Sequence, residues 1–206
     1  TSETSAEGTR PYAGMCTLNS KLYAWTGTKL VEHDDPGQAT VPLSAAEIRT
    51  VYNTGEDPAN KNPFSGAWFA DCFATETSVV TFYSTVGRSK VYEYRRGAGR
   101  PLWTAPTGFT IKSACYANGV CYFFGRWGGD SNDSGNGAIY AIPMDTLRPI
   151  FVGYVRRQVD EFVQMQEAAS SYGNQVLFSG AWGGRIMIYD LDQDAITMLD
   201  NLYDSA

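Results

Sequence analysis

The sequence predicts an all-β chain built from a four-strand unit used several times, and three observations predict it. First, a stretch of text recurs. Phe123, Gly125, Trp127, Gly128 and Gly129 return as Phe178, Gly180, Trp182, Gly183 and Gly184, each 55 positions later. Second, short β-prone runs are punctuated by turn residues at intervals of roughly 8–12 positions. Third, 13 Tyr, 10 Phe, 5 Trp and 21 Gly in 206 residues suit sheets joined by tight turns.

The totals set the outer limits. Hydrophobic residues make up 43% of the chain, enough for a sizeable core in one domain or two small ones. A net charge of −6 argues against a nucleic-acid phosphate partner, which needs clustered Lys and Arg. No apolar run approaches the roughly 18–20 residues of a membrane span. No signal-peptide pattern opens the chain, and Thr at position 1 is expected to reflect processing or a larger precursor.

Residues 1–11 are polar and aperiodic, and a loose lead-in or linker is expected there. The folded domain is expected over residues 12–206. Runs AGMCTL, KLYAWTG and KLVEH follow, with Asn19-Ser20 as the first turn. Residues 34–66 are irregular. Asp34-Asp35-Pro36-Gly37 is a turn signal, and LSAAEIRTVY either begins as a short helix capped by Ser44 or ends as a strand. The loop EDPANKNP has the length of one that carries contacts. Strand text resumes with WFADCFAT, SVVTFYS and KVYEY; residues 95–100 read as a Gly-containing turn, and residues 101–103 lead out of it. Asn118-Gly119 is a two-residue hairpin signal between residues 109–117 and 120–125. Strands at 138–142, 150–155, 168–171, 176–179, 185–191 and 195–199 close the chain, with residues 159–166 helical or extended.

Aligning Tyr23, Phe82, Phe123 and Phe178 brings four units into register. A small residue precedes each aromatic: Cys16, Cys72, Cys115 and Ser170. After each comes a β run: KLVE, KVYEY, AIYAI and RIMIY. A four-strand unit of roughly 40–50 residues resembles a blade of the broad β-propeller class. Such blades cover their apolar faces only by stacking on neighbours. The resemblance implies about four or five blades, with residues 34–66 hiding part of a fifth in the larger case. A β-sandwich is the alternative.

Candidate site residues follow from the repeat. Trp127 and Trp182 end matching strands, where an indole can stack on a sugar or anchor a protein, with Arg126 adding hydrogen bonds. In the bland alternative the tryptophans wedge neighbouring sheets together and the glycines make the turn. Asp130, Asn132 and Ser134, with Gly135 at the sixth place, match the first half of a calcium loop. The glutamate such a loop needs at its last place is replaced by Ala141. The same letters partly match the Asp-box turn of sialidase-like propellers, without the Thr-Trp that should follow. Asp190, Asp192 and Asp194 could face a cation, but Ala195 stands where a calcium loop has Gly. The bland alternative for each acidic run is a polar hairpin tip.

Four Cys and the single His33 leave little for a metal or redox centre. Cys16, Cys72 and Cys115 are expected to be small buried residues, too far apart for disulfides. Across a two-residue turn Cys121 should face Tyr116. A catalytic triad would need His33, expected in a turn. Asp71, Glu76, Asp160 and Glu161 are candidate carboxylates by location alone, and nothing in spacing selects Arg88, Arg95, Arg96, Arg126 or Arg185 as a sialidase-like cluster.

The expectation is a non-enzymatic attachment domain with no cofactor beyond a calcium ion. Gly- and Trp-rich propellers of this sort are similar to domains of phage tail and fibre proteins and of secreted lectin-like modules. That resemblance implies a virion or extracellular setting after synthesis in a reducing cytoplasm. It implies protein, glycan or virion neighbours as partners, or a second copy of the chain. A sialidase-like glycan hydrolase and a free lectin are the alternatives.

Overall fold

The computed structural model describes residues 13–33, 48–55, 69–85, 88–127, 137–155, 165–180 and 186–199. Among these there is no helix. Sixteen strands form four separate four-stranded sheets, each an antiparallel meander in chain order. The first sheet holds β1 (Gly14–Leu18), β2 (Lys21–Trp25), β3 (Lys29–His33) and β4 (Ile48–Asn53). The second holds β5 (Phe69–Ala74), β6 (Val79–Thr85), β7 (Arg88–Arg95) and β8 (Ala98–Thr104). The third holds β9 (Phe109–Ala117), β10 (Val120–Trp127), β11 (Gly137–Pro143) and β12 (Ile150–Tyr154). The fourth holds β13 (Met165–Tyr172), β14 (Gln175–Gly180), β15 (Ile186–Asp190) and β16 (Ala195–Leu199). A sandwich would have two facing sheets, so four four-stranded meanders set that alternative aside.

Local chemistry explains the turns. Asn19-Ser20 and Asn118-Gly119 both have positive φ (51° and 60°, 48° and 81°), the two-residue hairpin conformation whose twist matches the strands it joins. Arg96-Gly97 does the same between β7 and β8 (52° and 82°). The turn expected over residues 95–100 is therefore two residues long, and the text beyond it is strand β8. Pro101 is tolerated there because β8 is the outermost strand of its sheet. In LSAAEIRTVY the extended alternative holds at its end, as β4. That strand completes the first sheet, so the described part of residues 34–66 belongs to no fifth sheet.

One irregularity repeats. Between the third and fourth strands the register slips after Leu30, after Val91 and after Ile139. These positions are equivalent, and the same bulge leaves Val51, Leu102 and Val152 as the extra residue. Tyr23, Phe82, Phe123 and Phe178 all lie on second strands, as the repeat predicts. Their register is only partly right. Cys16 pairs with Tyr23 but Cys115 pairs with Tyr122, so the counterpart of Tyr23 is Tyr122, and Phe123 points to the other face.

The chain falls into two compact units: residues 1–83 with 90–104, and residues 84–89 with 105–206. In the first, Tyr23, Trp25 and Leu30 pack with Cys72, Val79, Tyr83 and Tyr92. Trp25 is fully buried, and its Nε1 donates to the Phe82 carbonyl at 3.0 Å. Strand β1 approaches β5 at Gly14, where a Cβ would lie 2.6 Å from the Cys72 nitrogen. In the second unit, Tyr122, Phe124 and Ile139 pack with Val176, Phe178, Met187 and Tyr189, and the Phe124 and Phe178 rings stack at 4.5 Å. Burying aromatic and aliphatic side chains of this size contributes about 1.5–3 kcal/mol each.

Candidate functional site

On the third sheet, aromatic rings form a continuous strip across all four strands. It starts at Phe109 on β9, which is fully buried. Phe109 packs against Trp127 on β10 at 5.5 Å and against Tyr140 on β11 at 4.9 Å. Tyr140 meets Phe151 on β12 edge-on at 5.2 Å, and Phe151 meets Tyr154 at 5.0 Å. Gly125 is needed for this. A Cβ there would strike the Thr110 carbonyl and come within 2.6 Å of the Phe109 ring. The glycine of the recurring text is thus a packing position rather than a turn residue, lying inside β10.

The strip changes character along its length. Phe109 is sealed in, Trp127 is half-buried, and the β12 end is open: Ile150 is 50% exposed, Phe151 43% and Tyr154 50%. Sequence reasoning missed these three. The signal available to it was IFVGY itself, a strand without a single charge and with the Tyr154 hydroxyl as its one polar side-chain group. Of the residues it did single out, Trp127 mainly wedges between Phe109 and Tyr140. Its indole Nε1 and the Nε of Arg126 are buried without a hydrogen-bond partner among the described residues. Two unfilled donors therefore sit beside the strip. Trp182, Asp130, Asn132 and Ser134 lie outside the described residues.

In the acidic run Asp190, Asp192 and Asp194 the carboxylates are engaged separately. Asp190 Oδ1 accepts the backbone N–H groups of Asp192 and Gln193 at 3.1 and 3.0 Å, closing its own turn. Asp192 accepts from Asn174 Nδ2 at 2.8 Å, and Asp194 accepts from the Tyr189 hydroxyl at 2.6 Å. Each carboxylate serves a different partner. No group of three or more potential metal ligands occurs among the described residues.

The candidate catalytic groups are scattered. Burial holds the Asp71 carboxyl above its ordinary range, although its Oδ1 accepts the Cys72 N–H at 2.7 Å. Glu76 is exposed in the turn between β5 and β6. Asp160, Glu161 and Arg185 lie outside the described residues. His33 is not in a turn as expected; it is the buried last residue of β3. Cys121 faces Tyr116 as the hairpin requires. All four cysteines are free. Cys16 and Cys72, however, are not apart: Cys16 packs against the buried cluster that contains Cys72, and its thiol pushes that of Cys72 up. The close approach of β1 and β5 at Gly14 overturns that expectation.

The best-formed polar cluster is at Glu32, buried on β3. Lys21 Nζ donates to it at 2.9 Å and Arg49 Nη2 at 2.6 Å, with the Tyr23 hydroxyl as a third donor. Burial alone would raise this carboxyl; the donors outweigh it and hold it down at about 2. The same register of the second sheet holds Glu93, fully buried, with Arg100 Nε and Nη2 at 2.8 and 2.5 Å. The two arginine pairs run between third and fourth strands, and Lys21 reaches Glu32 from the second.

No protein-family model matches the chain, and no curated protein matches it in sequence. Solved structures do resemble it. A chain of a mitotic checkpoint complex superposes with a TM-score of 0.55 at 10% identity, over 92% of this chain and 50% of that one. A chain of a nidogen/laminin complex gives 0.46 at 11%, over 92% and 80%. The glutaminyl cyclase of Myxococcus xanthus gives 0.47 at 12%, over 92% and 70%. The chain thus spans half the length of the checkpoint chain. Four antiparallel four-stranded meanders and this likeness place the fold in the β-propeller class. At such identities the likeness speaks of fold alone.

Proposed function

We propose that the chain is a non-enzymatic attachment module that captures an extended protein segment along β12. The observation that carries this reading is the contrast between outer strands. At one register the fourth strands present Arg49, Arg100 and Ile150; at the next, Thr50, Pro101 and Phe151. Charges and proline are the usual guards of an open sheet edge. Strands β4 and β8 carry them, and β12 carries none. Strand β16 also lacks charge, and Arg148-Pro149 directly precede β12 as Asp194 precedes β16, but β16 exposes Ile196 as its one large apolar side chain among the described ones, against Ile150, Phe151 and Tyr154 on β12.

Strand β12 is the last in its sheet, so one row of its backbone N–H and C=O groups has no strand partner among the described residues. An added strand would satisfy that row while its apolar side chains cover Ile150, Phe151 and Tyr154. Half-exposed aromatics backed by a rigid layer of buried rings are suitable anchors for such contact. The mitotic checkpoint chain is itself a component of a protein complex. A virion setting rests on the sequence resemblance alone.

A second reading is favoured by the unfilled donors of Arg126 and Trp127. Those N–H groups beside an aromatic surface would suit a glycan hydroxyl. Parallel protein and glycan arrays with the purified chain separate the two. Protein ligands should be bound, and Phe151→Ala with Tyr154→Ala should weaken them at least tenfold. Glycan binding that survives this pair of substitutions but fails in Arg126→Ala would replace the first reading with the second.

A further inference from the structure

We infer that Cys16 and Cys72 form an oxidation site, at which a hydroperoxide converts the two thiols into a disulfide joining β1 to β5. The two residues lie on the first strands of neighbouring sheets in one compact unit. Gly14 lets the strands close: any side chain there would collide with Asp71 and with the Cys72 backbone. Cys16, two residues further along β1, stands on the same face. Its side chain packs against the buried cluster that holds Cys72, close enough for the Cys16 thiol to push that of Cys72 up. A bridge needs the sulfurs to close to about 2.05 Å.

The two thiols are unequal in a way that sets the order of events. Cys16 is half-buried and open to a small oxidant, whereas Cys72 is 3% exposed. The Cys16 thiol, burial, and the nearby charge of Asp71 all push the Cys72 thiol up, so it is not the first nucleophile. Cys16, as thiolate, attacks one peroxide oxygen. The O–O bond breaks, Cys16 becomes a sulfenic acid, and the departing oxygen leaves as an alcohol, or as water when the oxidant is hydrogen peroxide, after taking up a proton. Cys72 sulfur then attacks Cys16 sulfur. The S–S bond forms, the S–OH bond breaks, and hydroxide leaves with the Cys72 proton as water. Two thiols are oxidised by two electrons, and one peroxide is reduced to two hydroxylic products.

The other thiols have no such arrangement. Burial pushes the Cys115 thiol up to about 12, and Cys115 pairs with Tyr122. Cys121 Sγ donates to Met144 Sδ at 3.4 Å. A bridge between Cys16 and Cys72 would tie the first two sheets together and shrink the unfolded ensemble.

The test is titration of the reduced, folded chain with hydrogen peroxide, read by intact mass, peptide mapping and thermal unfolding. One equivalent should give a product about 2 Da lighter, with Cys16 and Cys72 in one cross-linked peptide. Its melting temperature should rise by roughly 5–10 °C, reversed by dithiothreitol. Cys16→Ser should abolish the mass loss, and Cys121→Ser should retain it. A Cys16 sulfinic acid about 32 Da heavier with Cys72 still reduced, a bridge between any other pair, or no loss of the two thiols would each overturn the inference. Wild-type chain supplies the decisive reading, so a variant that fails to fold does not blunt the test.

Discussion

At one register of the third and fourth strands, the first unit sets Glu32 against Arg49 and Glu93 against Arg100, while the second sets Ala141 against Ile150. The backbone does not register the difference, since the same bulge follows Leu30, Val91 and Ile139. The strand plan is therefore set by turns and by the apolar faces. What occupies this position is open to other uses. In the first unit it builds ion pairs whose arginine ends lie on the outer strands. In the second it leaves an apolar edge continuous with the aromatic strip.

The apolar positions common to both units should dominate stability. Trp25 and Phe124 are counterparts, facing Leu30 and Ile139 across their hairpins. Phe124→Ala should cost about 3–4 kcal/mol through the cavity it leaves. Trp25→Ala should cost about 1 kcal/mol more, because the Phe82 carbonyl also loses its donor. Denaturant unfolding of the two variants checks this. Equal losses would show that the indole hydrogen bond adds nothing.

The ion pairs come next, and they should differ from each other. Glu32 has three donors, so Arg49→Ala leaves two and should cost less than about 1 kcal/mol. Glu93 Oε2 accepts the Arg100 fork, and its Oε1 is buried without a partner among the described residues. Arg100→Ala strands that carboxylate and should cost about 2 kcal/mol, below the 3–5 of a wholly buried pair because Arg100 is itself half-exposed. Adding Glu93→Gln should recover part of the loss. If it recovers none, packing by the arginine stem was the larger effect.

Acid should separate the units through Glu32. Its folded pKa, about 2, lies below the ordinary value of 4.5, so the folded state holds fewer protons than the unfolded state between those two pH values. The stabilisation is complete above about pH 4.5 and fades as pH falls toward 2. Glu32→Gln should remove that slope from melting temperatures measured over this window, leaving whatever slope the other carboxyls give. An unchanged slope would mean that the three donors do not discriminate between the charged and neutral forms.

Much of the plan was legible in the sequence, and the losses have physical causes. The hairpins were readable because Asn19, Asn118 and Gly119 announce positive φ. The 55-residue offset was readable because Phe123 and Phe178 occupy one register. Strand β8 was hidden by Gly99 and Pro101, which read as a continuation of the true turn at Arg96-Gly97 but sit on an edge strand that tolerates them. The Tyr23 register was lost because adjacent aromatics, Tyr122 and Phe123, offer two alignments a residue apart and on opposite faces. The meeting of Cys16 with Cys72 could not be read from spacing, since it depends on how closely Gly14 lets two strands approach. The apolar edge could have been found only by comparing fourth strands, and two of the four had not been recognised as strands with their true bounds.

The smallest effect is the one that sharpens the comparison most. Phe151 and Tyr154 are about half exposed, so truncating either to Ala removes limited buried area and should change stability by no more than about 1 kcal/mol. Tyr140 keeps Phe109 and Trp127 beneath it, so the inner strip should stay packed. Phe151→Arg goes further, placing on β12 a charge one register position away from where β4 and β8 carry Arg49 and Arg100. It should leave the melting temperature within a few degrees while abolishing capture of an added strand. Should Phe151→Arg instead unfold the third sheet, the exposed rings would be structural, and the polar outer strands of the first unit would mark the exception rather than the guard.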